Sequence, residues 1–164
     1  MTNITLVTGD PKSGKSTYLN KVCQEVRNDY TVGGIVASDI RDEQGDRVGF
    51  VMNNVGTGET AMLADLTEYS NKVQFGKWFV YQDNIKGFML PVITKALRNC
   101  DVVFIDEIAS MQLLCNDFKQ FIISDALTIS YKRIFITIAK TVYDSHENYI
   151  GNYMRSIADD VVLL

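Results

Sequence analysis

A short apolar run, Ile4, Leu6 and Val7, stops at Gly9, and Leu19, Val22, Cys23 and Val26 then recur at helical spacing. The first pattern predicts a buried strand, and the second a helix from about Lys15 to Arg27. "TVGGIVASDI" reads as a second strand, and "DRVGFVMNNVG" with "NKVQFGKWFVYQ" gives two or three more, separated by turn residues. Ile85, Phe88, Met89, Val92, Ile93, Ala96 and Leu97 share one helical face, with Pro91 inside it predicting a kink or a late start. "DVVFIDE" is almost continuously apolar, as a central parallel strand covered on both faces requires. A helix carrying Phe118, Phe121, Ile122, Ala126 and Ile129 follows, then a strand "RIFITIA", a helix-like stretch ending near Ile157 and a terminal strand "DVVLL". Strands alternating with helices predict a single α/β domain over residues 1–164, a mostly parallel sheet flanked by helices in three layers. The β-rich middle, about residues 41–81, is expected as an antiparallel insertion.

The break after Val7 carries chemistry. Gly9, Asp10, Pro11, Lys12, Ser13, Gly14, Lys15, Ser16 and Thr17 satisfy G-x-x-x-x-G-K-[ST], the phosphate-binding P-loop, with strand and helix on the required sides. Gly14 lets the backbone approach a phosphate, and N–H groups of the loop and the helix N-terminus converge on the anion. Lys15 adds a mobile positive charge, Ser16 a hydroxyl for Mg²⁺, and Thr17 stands to reach the α phosphate. Asp10 is out of character in such a loop and is expected to point away or to pair with Lys12.

A P-loop needs a carboxylate at the end of a neighbouring buried strand to hold the metal, and "VVFIDE" supplies one. Asp106 is the candidate metal residue and Glu107 the group that aligns and deprotonates a water. Arg41, Arg47, Arg133 and Arg155 are candidate sources of transition-state charge, with Arg155 preferred. His146, the only histidine, has no nucleophile motif beside it and reads as a surface residue; Trp78, Phe79 and Tyr81 read as sheet packing.

Composition narrows the setting. The chain carries 20 acidic and 16 basic side chains with no block of like charge, which argues against a general affinity for nucleic acid or an anionic membrane. Cys23, Cys100 and Cys115 lack metal-ligand spacing and read as reduced thiols of a cytoplasmic protein, and no apolar run is long enough to span a bilayer.

With both phosphate motifs placed, the chain resembles the THEP-type nucleoside-triphosphatases. The likeness is carried by "VTGDPKSGKST", "GGIVASDIRDEQGDRVGFVM", "VQFGKWFV", "LPVITKAL" and "VVFIDEIASMQLLCNDF", in the family order. The resemblance implies slow Mg²⁺-dependent hydrolysis of several nucleoside triphosphates, with Lys15, Ser16 and Thr17 in the phosphate loop and Asp106 and Glu107 as the metal and water-activating acids. Three differences stand out. This chain reads D-E-I-A-S-M-Q where the family usually has D-E-I-G-K-M-E, so Ser110 and Gln112 replace a lysine and a glutamate. Asp10 and Lys12 stand where a proline and often a glycine are common, and past "DVVLL" the family's T-x-x-N-R segment has no counterpart in these residues. The first and third are expected to bear on rate and base preference. No base-reading N-K-x-D motif is present, and a small-molecule kinase or a nucleotide-dependent switch remain as alternative readings.

Overall fold

The computed structural model describes all residues 1–164. β1 (Asn3–Thr8) is buried from Ile4 to Thr8, as a strand inside a sheet covered on both faces must be. It pairs in parallel with β8 (Arg133–Ile138) on one side and β9 (Asp160–Leu163) on the other. β8 pairs in parallel with β7 (Val102–Ile108), and β7 with the first half of β2 (Val32–Arg41). The full order is β5-β6-β4-β3-β2-β7-β8-β1-β9 in one nine-stranded sheet.

Alternation along the parallel strands builds two cores. Val7, Val36, Val102 and Phe104 face α1 (Lys15–Val26), which buries Leu19 and Cys23 at i and i+4. Ile4, Leu6, Ile35, Ile105, Ile134 and Ile136 face the other helices: α2 (Gln82–Asn84) and α3 (Leu90–Asn99), α4 (Asn116–Ile122), and α5 (Lys140–Tyr143) with α6 (Tyr149–Ile157). No helix is long and apolar enough to cross a membrane.

The antiparallel insertion is a direct continuation of this sheet. β3 (Arg47–Asn54) pairs with the outer half of β2, followed by β4 (Thr60–Asp65), β6 (Trp78–Val80) and β5 (Val73–Phe75). Glycines at the inner end of β2 make the junction: a Cβ on Gly34, at φ +108°, would lie 2.0 Å from the Phe104 carbonyl oxygen, and one on Gly33 would meet Ala96 of α3. β4 was not legible beforehand because "TAMLAD" has little β-branching, and it owes its strand form to pairing with β3.

Two other expectations change, and the late start at Pro91 takes a particular form, α3 beginning at Leu90 with the proline in its first turn. The helical face around Pro91 runs from Gln82 to Asn99, but residues Ile85–Met89 form a π-helical turn in which Leu90 N–H bonds the Ile85 carbonyl. Pro91 has no N–H to continue the i→i−4 ladder, so the wider turn takes up the mismatch immediately before it. The helix after Phe118 ends at Ile122 and does not include Ala126 or Ile129, the latter 65% exposed. There the Ser124 hydroxyl donates to the Phe121 carbonyl (2.6 Å) and accepts from Ala126 N–H (3.3 Å), a local alternative to the helix ladder. The stretch ending at Ile157 is two helices, α6 being started anew by the Asn148 side chain, which accepts from Ile150 and Gly151 N–H.

The loop between β4 and β5 is held by one polar cluster. Lys72, with its side chain 1% exposed, donates to Asp65 Oδ1 at 2.8 Å and to the Thr67 carbonyl, while Tyr81 Oη donates to Asp65 Oδ2 at 2.7 Å. Burial pushes the Asp65 acid up, but the Lys72, Tyr81 and Thr67 N–H hydrogen bonds outweigh it and hold the carboxyl below the usual aspartate range. A carboxyl depressed in the folded state stabilises at pH above its unfolded value and loses that contribution as pH falls through the folded value. The melting temperature of the wild type is therefore expected to exceed that of Asp65→Asn fully above about pH 5 and by progressively less toward about pH 2. Melting curves of both proteins across that range check this; a constant difference contradicts it.

Candidate functional site

β1 ends at Thr8, and the loop that opens with Gly9 turns into α1 through Gly14 at φ 94°, a left-handed conformation that a Cβ would disfavour. α1 begins with no side-chain cap and no acidic residue in its first turn, so its leading N–H groups point outward for an anion. The loop lines a cleft of about 690 Å³ together with the end of β7 and the outer half of β2. Pro11 to Thr17, Asp106 and Glu107 all line it, whereas Gly9 is buried beneath the loop. Asp10 points away and pairs with Lys140 (3.3 Å), not with Lys12.

Asp106 is 2% exposed and is met by three donors. Ser16 Oγ donates to Oδ2 at 2.7 Å, Ala37 N–H to the same oxygen at 2.9 Å, and Thr137 Oγ1 to Oδ1 at 2.5 Å. Each comes from a different element. Ser16 is brought by α1; Ala37 is freed for the bond because the β2–β7 ladder stops at Ile35 opposite Ile105; Thr137 lies on β8, the strand between the P-loop strand and β7. Burial nevertheless pushes the Asp106 acid above the ordinary aspartate value, with the Thr137, Ser16 and Ala37 bonds opposing.

Glu107 stands beside it. Burial, then the Asp106 charge, raise its pKa to about 7, with Lys15 pulling down. Lys15 Nζ is 3.9 Å from Glu107 Oε2 and 3.4 Å from the Gly9 and Asp10 carbonyls, so it lies folded across the loop. A hydroxyl, a buried carboxylate and room for phosphate oxygens form a hard-oxygen set that suits Mg²⁺, which keeps waters and substrate phosphates as its remaining ligands. No cluster of three or more His, Cys, Asp or Glu side chains offers a protein-only metal cage.

Arg155 is not among the cleft residues. On α6, it donates to the Ser145 carbonyl (3.3 Å) and to Asn152 Oδ1 and lies over the Tyr143 ring. The arginines that do line the cleft are Arg41 and Arg47. Trp78 packs edge-on against Phe50, as sheet packing, and His146 is exposed. Two site residues escaped the sequence reading. Thr137 sat unnoticed because a β-branched threonine is ordinary in a strand. Gln112, noted only as a departure, is 4% exposed, lines the cleft and leaves its Oε1 without a partner.

A family model described as NTPase matches residues 4–159. The Nucleoside-triphosphatase THEP1 of Thermococcus kodakarensis is 38% identical over 115 residues, 68% of this chain and 63% of its own length. That of Methanocaldococcus jannaschii is 29% identical over 148 residues, 90% of this chain and 80% of its own. The matched region thus spans less than two thirds of the first relative and four fifths of the second. The crystal structure of THEP1 from Aquifex aeolicus superposes with a TM-score of 0.72 at 22% identity, covering 100% of this chain and 88% of that one. The solution structure of a human cancer-related nucleoside triphosphatase gives 0.75 at 24% identity, covering 99% and 87%. Both likenesses speak to the fold.

Thr137→Val keeps the volume of the side chain and removes one of the three donors to the buried carboxylate. It is expected to destabilise the fold by about 1–3 kcal/mol, whereas Thr137→Ser, which keeps the hydroxyl, should cost less. Urea denaturation of the three proteins checks the ordering.

Proposed function

This chain belongs to the THEP1-type nucleoside-triphosphatase family, and on that footing we propose that it hydrolyses nucleoside 5′-triphosphates to diphosphate and phosphate with Mg²⁺. The observation that carries the reading is Ser16 of the phosphate loop bonded at 2.7 Å to the buried Asp106, with Glu107 next to it on the cleft wall. Ser16 and Asp106 would hold Mg²⁺, which when bound shields the charge of the triphosphate as the γ-phosphoryl group is transferred.

The remaining steps belong to the chain. Loop N–H groups at Lys12 and from Gly14 to Thr17 cradle the phosphates, that of Ser13 being bonded to the Asp10 carbonyl at 3.0 Å; every nucleoside triphosphate offers the same phosphate contacts, which supports broad base acceptance. Slow turnover is carried by the family resemblance alone. A triphosphate draws the Lys15 ammonium away from Glu107 toward the β and γ phosphates. Released from that cation, Glu107 becomes the stronger base, takes a proton from a water and directs its oxygen at the γ phosphorus; the diphosphate leaves. The free thiols Cys23, Cys100 and Cys115 support a reducing, cytoplasmic setting.

Phosphate release from the four ribonucleoside triphosphates, with and without Mg²⁺, tests the proposal. Release from several of them that requires the metal is expected. Glu107→Gln should still bind nucleotide but lose about 10²–10⁴ in turnover, whereas Lys15→Ala should lose binding. Full turnover in the Glu107 variant overturns the assignment of the base, and acceptor-dependent loss of ATP without phosphate release would move the activity to phosphoryl transfer.

A further inference from the structure

Where β2 outruns β7 it turns back as β3, and beneath this hairpin a second cavity of about 590 Å³ opens beside the phosphate cleft. Lys12, Arg41 and Arg47 line both cavities; Lys77 and Trp78 belong to the second alone. Four cations therefore face two acids, Asp42 and Asp46. Asp42 is already engaged in its own turn, its Oδ1 accepting from Gln44 and Asp46 N–H at 3.0 and 2.9 Å.

The arginines are short of anions. They stand opposite each other in the β2–β3 register, where like charges repel. A single oxygen, Asp39 Oδ2, serves both, at 3.1 Å from Arg41 and 2.8 Å from Arg47. Arg47 Nε is buried and has no hydrogen-bond acceptor, the guanidinium meeting only the Phe50 ring at 5.2 Å besides Asp39. Lys12, which joins the two cavities, holds a left-handed backbone at φ 64°, uncommon outside glycine and concentrated at ligand sites. Beside these cations lies the half-buried ring of Trp78, fixed edge-on against Phe50 with centroids 4.8 Å apart, and Lys77 Nζ stands over it at 4.9 Å, an ammonium that a bound phosphate would draw away from the ring.

An excess of guanidinium, an orphan donor and a flat aromatic wall in a space of nucleotide size describe one chemistry, a phosphate attached to a planar ring. We propose that this second cavity binds a nucleoside monophosphate, its phosphate on Arg41 and Arg47 with Lys77 assisting and its base on Trp78. The site shares Lys12, Arg41 and Arg47 with the wall of the phosphate cleft but none of Lys15, Ser16, Asp106 and Glu107, so the inference does not depend on triphosphate hydrolysis.

Trp78 is the only tryptophan and lines this cavity, so its fluorescence reports on occupancy here, with Lys15→Ala as the control for events in the phosphate cleft. Titration of the full chain with AMP and CMP should change that fluorescence saturably, with adenosine and inorganic phosphate each binding at least about 10-fold more weakly. Arg41→Ala and Lys77→Ala, the latter read by calorimetry because Lys77 stands over the reporting ring, should each raise Kd roughly 10-fold or more. Lys15→Ala should leave mononucleotide binding unchanged, and a saturating non-hydrolysable triphosphate should not displace it. Binding that persists in a protein without triphosphatase activity supports this site and refutes only the hydrolytic reading. Absence of a saturable signal by fluorescence and calorimetry, loss of binding in Lys15→Ala, displacement by the triphosphate, or indifference to both Arg41→Ala and Lys77→Ala overturns it.

Discussion

The buried carboxylate of Asp106 is the constraint around which the site is assembled. An anion with almost no access to water is tolerable only if donors replace the lost solvation. Ser16, Ala37 and Thr137 restore part of it from a helix, a strand and a second strand that are far apart in the chain, burial still holding the acid above its ordinary value. Meeting that requirement places the phosphate loop, the end of β7 and the start of the β2 overhang within one hydrogen-bonding radius. The core on either face of the sheet sets the strand register, and the register delivers the three donors.

The same overhang shapes what lies beyond. Because β2 pairs with β7 only as far as Ile35, its outer half is free to pair with β3, and the insertion becomes an extension of the central sheet. A continuous sheet holds the Asp39, Arg41 and Arg47 cluster rigidly over the mouth of the phosphate cleft. The Asp65, Lys72 and Tyr81 cluster secures the far loop with hydrogen bonds where few apolar residues are available. Lys15 links loop and acid: its ammonium stands 3.9 Å from Glu107, and in the proposed reaction a phosphate would compete for it.

Legibility along the chain followed the range of the forces. The P-loop is a local device, in which a glycine turn, a helix N-terminus and a lysine act within nine residues, so the spelling alone identifies it. Asp106 was legible as the end of an apolar run that had to be a central strand. The helix after Phe118 was overextended because periodicity cannot weigh a serine that bonds its own turn, and β4 was missed because its strand character is induced by β3. Arg155 drew attention by its position before the last strand, yet its guanidinium is engaged by Ser145 and Asn152 on its own side of the fold.

By itself the sequence determined the α/β class, the phosphate loop from Gly9 to Thr17, the acidic pair at the end of β7 and the family resemblance, all properties of residues close together in the chain. Only the tertiary structure decided that Thr137 and Ala37 solvate Asp106, that Asp10 turns to Lys140, and that Arg41 and Arg47, not Arg155, line the cleft. Those outcomes depend on strand order and register. β8 lies between β1 and β7 because the two apolar faces of the sheet must both be covered, a condition of the whole chain that no short segment expresses.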